Sequence, residues 1–231
     1  MGYLEEKYTE EYYLHRKYNP DGSYTPLNYG VLGIEEFMEG KVPCRVCNFL
    51  NGINFINSHV LDIGFGRGEA LKYARVQGAR RCFGIDFSPS AVSIAKEFLG
   101  PNTPNCVIHL ICSDVLEFLP YMHSGTIDVV IMLDVIEHLP RTEAEAVLAH
   151  VHRILNKEGI LAIETPFYAV NEDLIAQNGV YIDPSPTDLI PETKGMHCNK
   201  FTKERFEETL ARCWFKKKEG FSNLYVKEYN S

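Results

Sequence analysis

Residues 59–68, HVLDIGFGRG, run an apolar strand directly into three glycines spaced GxGxG, and a helix-forming run, EALKYARV, follows. Glycines at such a turn let the backbone take left-handed conformations and approach a ligand without a Cβ clash. Few folds place a buried strand, a glycine turn and a helix in that order. The ordinary one is a parallel sheet covered by helices, with ligands bound outside the carboxyl ends of the strands.

The rest of the chain keeps this rhythm. From residue 58 the pattern predicts strand 59–63, helix 69–76, strand 82–86, helix 89–98, strand 106–112, helix 115–119 and strand 126–133. Helix 141–155 is expected to stop at the left-handed glycine of Asn156-Lys157-Glu158-Gly159, with strand 160–165 after it. Helix 202–213 and strands near 214–219 and 222–229 close the chain. The irregular stretch 167–200 carries Pro184, Pro186 and Pro191, and a loop of that length in a compact domain is usually functional. Residues 1–57 read as a tyrosine-rich helical extension or lid, helical over 4–17 and again over 34–50, ahead of one domain over 58–231.

Composition narrows the function classes. With 23 basic and 31 acidic residues the formal charge is −8, which disfavours a partner held by broad phosphate neutralisation, nucleic acid above all. Arg75, Arg80 and Arg81 gather locally, but read as a solvated face. No apolar run reaches the ~18 residues of a membrane span, and the amino terminus is acidic, so a soluble cytoplasmic protein is expected, as a monomer or homodimer. Seven scattered cysteines fit reduced thiols, and Cys44 and Cys47 form a CxxC without a second pair to complete a zinc site.

Acids stand at successive strand ends: Asp62 before the glycines, Asp86 22 residues after Gly64, and Asp114 after the third strand. A carboxylate at the second position can accept both ribose hydroxyls, and one at the third can meet an adenine amino group. Asp86 and Asp114 also suit helix caps. Glu69 takes the place of the third glycine of a dinucleotide fingerprint, which weakens a nicotinamide-dehydrogenase reading, and an acid ahead of the loop suits a cationic ligand better than a pyrophosphate.

The segments VLDIGFGRG, GIDFS, CSDVLEF, IDVVIMLDVIEHL and RILNKEGILAIETP together resemble the class I S-adenosylmethionine-dependent methyltransferases over residues 58–229. The resemblance implies an α/β, Rossmann-like sheet of seven mostly parallel strands, the last antiparallel, with helices on both faces. It implies that Asp62, Gly64, Gly66 and Gly68 surround the amino-acid part of S-adenosylmethionine, that Asp86 holds its ribose, that Asp114 with Val115 lies beside the adenine, and that Phe87 and Leu133 belong to the cofactor wall.

LDVIEH, residues 133–138, adds chemistry behind the fourth strand. Were the chain to turn helically there, Asp134, Glu137 and His138 would share one face and could hold Mg²⁺ or Mn²⁺, with Fe²⁺ and Zn²⁺ as alternatives. His197 is the candidate fourth ligand. This pattern resembles metal-dependent O-methyltransferases of RNA and of ubiquinone precursors, in which the metal engages substrate oxygens. Glu137, His138 and His197 are thus the candidate catalytic residues, with His138 as a metal-free general base the competing reading. The leader resembles those of bacterial methyltransferases tied to surface polysaccharides, with Tyr13, Arg16 and Tyr29 facing substrate. The resulting expectation is an O-methyltransferase of a small polar metabolite, a sugar, nucleotide-sugar or phosphorylated intermediate of surface-glycan synthesis. RNA 2′-O-methylation and a non-enzymatic cofactor-binding scaffold stand as alternatives.

Overall fold

The computed structural model describes residues 8–14, 33–167 and 199–229. Within them the chain runs α1 (Glu10–Leu14), α2 (Ile34–Met38), α3 (Cys44–Phe49), β1 (His59–Ile63), α4 (Glu69–Val76), β2 (Arg81–Asp86), α5 (Pro89–Leu99), β3 (Val107–Cys112), α6 (Val115–Phe118) and β4 (Ile127–Leu133). It continues with α7 (Arg141–Ile154), β5 (Leu155–Glu164), α8 (Lys203–Arg212), β6 (Phe215–Lys217) and β7 (Leu224–Lys227). The strands form one seven-stranded sheet in the order β3-β2-β1-β4-β5-β7-β6, with β7 antiparallel to both neighbours. The expected Rossmann-like architecture is present. No helix among the described residues is long and apolar enough to cross a membrane.

Alternation along each central strand divides the core. Val60, Val129 and Ile131 face one layer, where α4 and α5 pack together with Ile34, Phe37, Val46 and Phe49 of the leader. Leu61, Val130 and Met132 face the other, covered by α7 and α8. Because β1 and β4 are sandwiched, they read as continuous apolar runs rather than as alternating ones.

Two expectations need correction. The single helix over 34–50 is two short ones, since Pro43 cannot donate within a helix and instead stands as the cap residue of α3. Gly159 takes no left-handed conformation: α7 ends at Ile154 because Leu155 is already extended, and β5 begins there. The pairing of β4 with β5 then slips between Ile127↔Leu155 and Val129↔Ile160, which absorbs the polar residues 156–159 as an irregularity in the strand. Of the helix expected over 4–17, residues 8–14 are described and 10–14 form α1; the remainder lies outside the described residues.

Gly84 in the middle of β2 is a packing requirement. A Cβ there would lie 2.6 Å from Phe65 Cδ1 and 2.8 Å from Leu71 Cδ1, the side chains that seat the glycine loop on the sheet. Gly84→Ala is expected to destabilise the protein by about 1–3 kcal/mol through overpacking, read from urea unfolding.

Candidate functional site

The loop after β1 is built around three left-handed glycines, Gly64 (φ 69°), Gly66 (φ 52°) and Gly68 (φ 84°). Gly64 is also the point of closest approach to the end of β4: a Cβ on it would fall 2.5 Å from Val135 Cγ2. The loop therefore sits directly against LDVIEH, as two strand ends adjacent in the sheet must.

Asp86 ties this loop to the next turn. One carboxylate oxygen accepts the Gly66 N–H at 3.0 Å and the other the Ser88 N–H at 2.9 Å, and the side chain is buried. Burial pushes its pKa up to about 6, against the pull of those two N–H groups. Asp86, expected to hold a ribose, is bonded here to two backbone N–H groups of the protein. Ser88 caps α5 and donates from its hydroxyl to the Tyr8 carbonyl at 2.7 Å. Asp114 caps α6 through the Leu116 N–H at 2.7 Å, and Phe87, Val115 and Leu133 line the same edge half-buried.

Asp62 is different. It is 3% exposed, one of its oxygens has no hydrogen-bond partner, and its pKa is driven well up by burial and then by Asp86 and Glu69. A buried, unsatisfied carboxylate beside a glycine loop is a natural receptor for a cation. The ammonium and sulfonium of S-adenosylmethionine are such groups, so the residues present fit that cofactor.

LDVIEH does not form the expected ligand face. Asp134 is left-handed (φ 54°), and only Ile136–His138 form a single 3₁₀ turn, so the i, i+3, i+4 relation of an α-helix is lost. The Asp134 carboxylate pairs with Arg45, which also reaches Glu164 at 3.6 Å. Glu137, buried, accepts the Thr165 hydroxyl at 2.9 Å. Among the described residues no three His, Cys, Asp or Glu side chains gather as a metal site, and His197, Arg16 and Tyr29 lie outside them. Among the described residues, Asp134 is committed to Arg45 and Glu137 to Thr165, and Asp134, Glu137 and His138 do not gather into a set that fits Mg²⁺, Mn²⁺, Fe²⁺ or Zn²⁺.

The leader supplies what the sequence did not reveal. The Tyr8 hydroxyl stands 3.0 Å from His138 Nδ1, and its ring packs edge-on against Phe87 at 4.9 Å. Tyr12 lies over the acids: burial, then Asp134, Glu137 and Asp86, hold its hydroxyl far above the usual range. Tyr13, expected to face substrate, is 3% exposed and packs in the core. Arg67, the variable residue of the last GxG step, is 2% exposed, with its guanidinium on Glu69 at 2.6 Å and on the Tyr13 carbonyl at 3.3 Å. The backbone of Asn199 donates to the Glu137 carbonyl at 2.9 Å, bringing the far end of the long loop to the same place. None of Tyr8, Arg45, Thr165 or Asn199 has a local sequence signal, because each reaches the site from a remote segment.

Sheet order and the antiparallel β7 make this a Rossmann-like α/β fold, with a glycine loop and strand-end acids at its ligand edge. Residues 60–159 match the family model described as a methyltransferase domain. Among curated proteins, carboxy-S-adenosyl-L-methionine synthases of Shewanella sp. (strain ANA-3) and Shewanella oneidensis are 27% identical over 128 residues, 51% of either chain. The chain therefore spans about half the length of the curated relatives it matches. Among solved structures, the cyclopropane synthase MmaA2 of Mycobacterium tuberculosis aligns with a TM-score of 0.63 at 18% identity, over 92% of this chain and 75% of that one. An S-adenosylmethionine-dependent methyltransferase of Archaeoglobus fulgidus gives 0.54 at 20% identity, over 74% and 65%. At these identities the structural matches establish the fold.

Glu137 makes a pH test. Burial and the adjacent Asp134 push its pKa from 4.5 up to about 8, outweighing Thr165 and Arg45. A raised carboxyl binds its proton more tightly in the folded state, so its contribution is present below about pH 4.5 and is lost as pH rises towards about 8. Glu137→Gln should remove at least about 1 kcal/mol of that decline, flattening the fall in Tm between about pH 5 and 9.

Proposed function

We propose that this protein is an S-adenosylmethionine-dependent methyltransferase acting on a hydroxyl of a small polar acceptor, with residues 1–57 as a cover over the site. The observation that carries this reading is the meeting of Tyr8 with His138 at the strand edge, beside a glycine loop and an unsatisfied buried acid that suit a sulfonium cofactor. When bound, the cofactor supplies an activated methyl group. Asp62 would hold its ammonium, Gly64, Gly66 and Gly68 admit it against the backbone, and Asp114, Val115 and Leu133 line its base. Asp86 keeps a free lone pair on each oxygen beyond its two backbone contacts, enough to take the ribose hydroxyls.

The chain's own part is positioning and one proton. His138, oriented by the Tyr8 hydroxyl 3.0 Å from its Nδ1, is the general base that takes the acceptor's proton in this reading. Glu137 Oε1 stands 4.0 Å from His138 Nε2. Sugar or nucleotide-sugar acceptors remain within this class as the narrower proposal, and a charge of −8 speaks against RNA.

A second reading follows from the Shewanella relatives, whose name describes a reaction on the cofactor itself. The same experiment separates the two. Incubation with methyl-labelled S-adenosylmethionine and a fractionated metabolite extract should yield S-adenosylhomocysteine and a labelled acceptor by mass spectrometry. A carboxylated cofactor in place of S-adenosylhomocysteine would establish the second reading, and an unchanged cofactor would contradict both. His138→Ala should lower turnover by about 10²-fold or more, and Tyr8→Phe by about 10-fold, with S-adenosylhomocysteine affinity held within a few-fold.

A further inference from the structure

Arg67 is the largest fully buried side chain of the described residues, and nothing in the mechanism above uses it. A guanidinium taken out of water is costly unless its hydrogen bonds are met. Here they join three segments. Nε and one terminal nitrogen meet Glu69 Oε1 at 2.8 and 2.6 Å, within the loop and the first turn of α4. The other terminal nitrogen donates to the Tyr13 carbonyl at 3.3 Å, at the end of the tyrosine segment. Its plane lies 4.9 Å from the Phe37 ring centroid in α2.

The other end of that segment is fixed from the next turn. Ser88 donates to the Tyr8 carbonyl and Phe87 packs on the Tyr8 ring, and both follow Asp86, which also holds Gly66. Residues 8–13 therefore span from the β2–α5 turn to the glycine loop, with the Tyr8 hydroxyl on His138 between these anchors. An apolar residue at 67 would fill the space without reaching a backbone carbonyl of another segment.

We propose that Arg67 is a positioning residue that clamps the tyrosine segment onto the cofactor loop, so that occupancy of the loop and placement of Tyr8 against His138 are coupled. The proposal rests on the transferase reading for the identity of the loop's ligand. By linkage, a ligand that orders the loop orders the segment, and the segment in turn tightens the ligand.

The test uses the full chain, S-adenosylhomocysteine as probe, and the variant Arg67→Gln/Glu69→Gln, which removes both charges of the pair and leaves neither alone. Arg67→Lys is the second variant, keeping the charge for Glu69 while giving up the fork that reaches Tyr13. Hydrogen exchange of residues 8–14 should slow about 10-fold or more in wild type on saturation with the probe. That protection should be absent in the double variant and partial in Arg67→Lys. The imidazole NMR resonances of His138 should move in the double variant to their positions in Tyr8→Phe, with no further movement when Tyr8→Phe is added. Wild-type protection and wild-type His138 resonances in either folded variant would overturn the clamp. Failure of S-adenosylhomocysteine to bind wild type would instead sink the transferase reading, and the His138 resonances would still decide the clamp.

Discussion

The buried carboxylate of Asp86 is the constraint on which the site depends. It sits at the carboxyl end of β2, between two turns that leave the sheet side by side, and takes one backbone N–H from each. That arrangement fixes the left-handed course of the glycine loop and the start of α5 together. It also explains a carboxyl whose pKa rises to about 6 despite two donors, since the cost of taking a charge out of water exceeds what two neutral N–H groups return. Remove it and both walls of the ligand edge lose their reference point.

Around that anchor the electrostatics have one sign. Asp62, Asp86, Asp134, Glu137 and Glu164 converge on the edge, while the cations nearby are committed to individual acids, Arg45 to Asp134 and Glu164, and Arg67 to Glu69. The pKa values of Asp62, Glu137 and Tyr12 all rise, each chiefly from burial and then from neighbouring acids. A cationic ligand relieves this stress and an anionic one worsens it. The same field favours a cofactor whose reactive centre is a sulfonium.

Much of this was legible in the sequence, and the reason is geometric. The turn after β1 needs glycine at left-handed positions, and sandwiched strands need unbroken apolar runs, so the order of elements, the loop and Asp62, Asp86 and Asp114 could be placed from residue types alone. What was misread depended on backbone hand or on distant contacts. Asp134 adopts φ 54°, which aspartate tolerates but does not announce, and that one torsion dissolves the ligand face inferred for Glu137 and His138. Arg67 between two glycines carries no local sign of burial, which becomes visible only when Tyr13 and Phe37 are folded over it. Among seven leader tyrosines, spacing could not single out Tyr8 as the partner of His138, because 130 residues separate them.

The central claim is that the loop between β1 and α4, with Asp62 and Asp86, forms a receptor for a sulfonium nucleoside. The most direct measurement is calorimetric titration of wild type and Gly64→Ala with S-adenosylhomocysteine and, separately, with NAD. Wild type should bind S-adenosylhomocysteine and not NAD. Gly64→Ala, whose new Cβ meets Val135 at 2.5 Å in a left-handed backbone, should weaken binding at least about 10-fold while staying folded. Binding of NAD instead, or S-adenosylhomocysteine affinity indifferent to Gly64→Ala, would contradict the account.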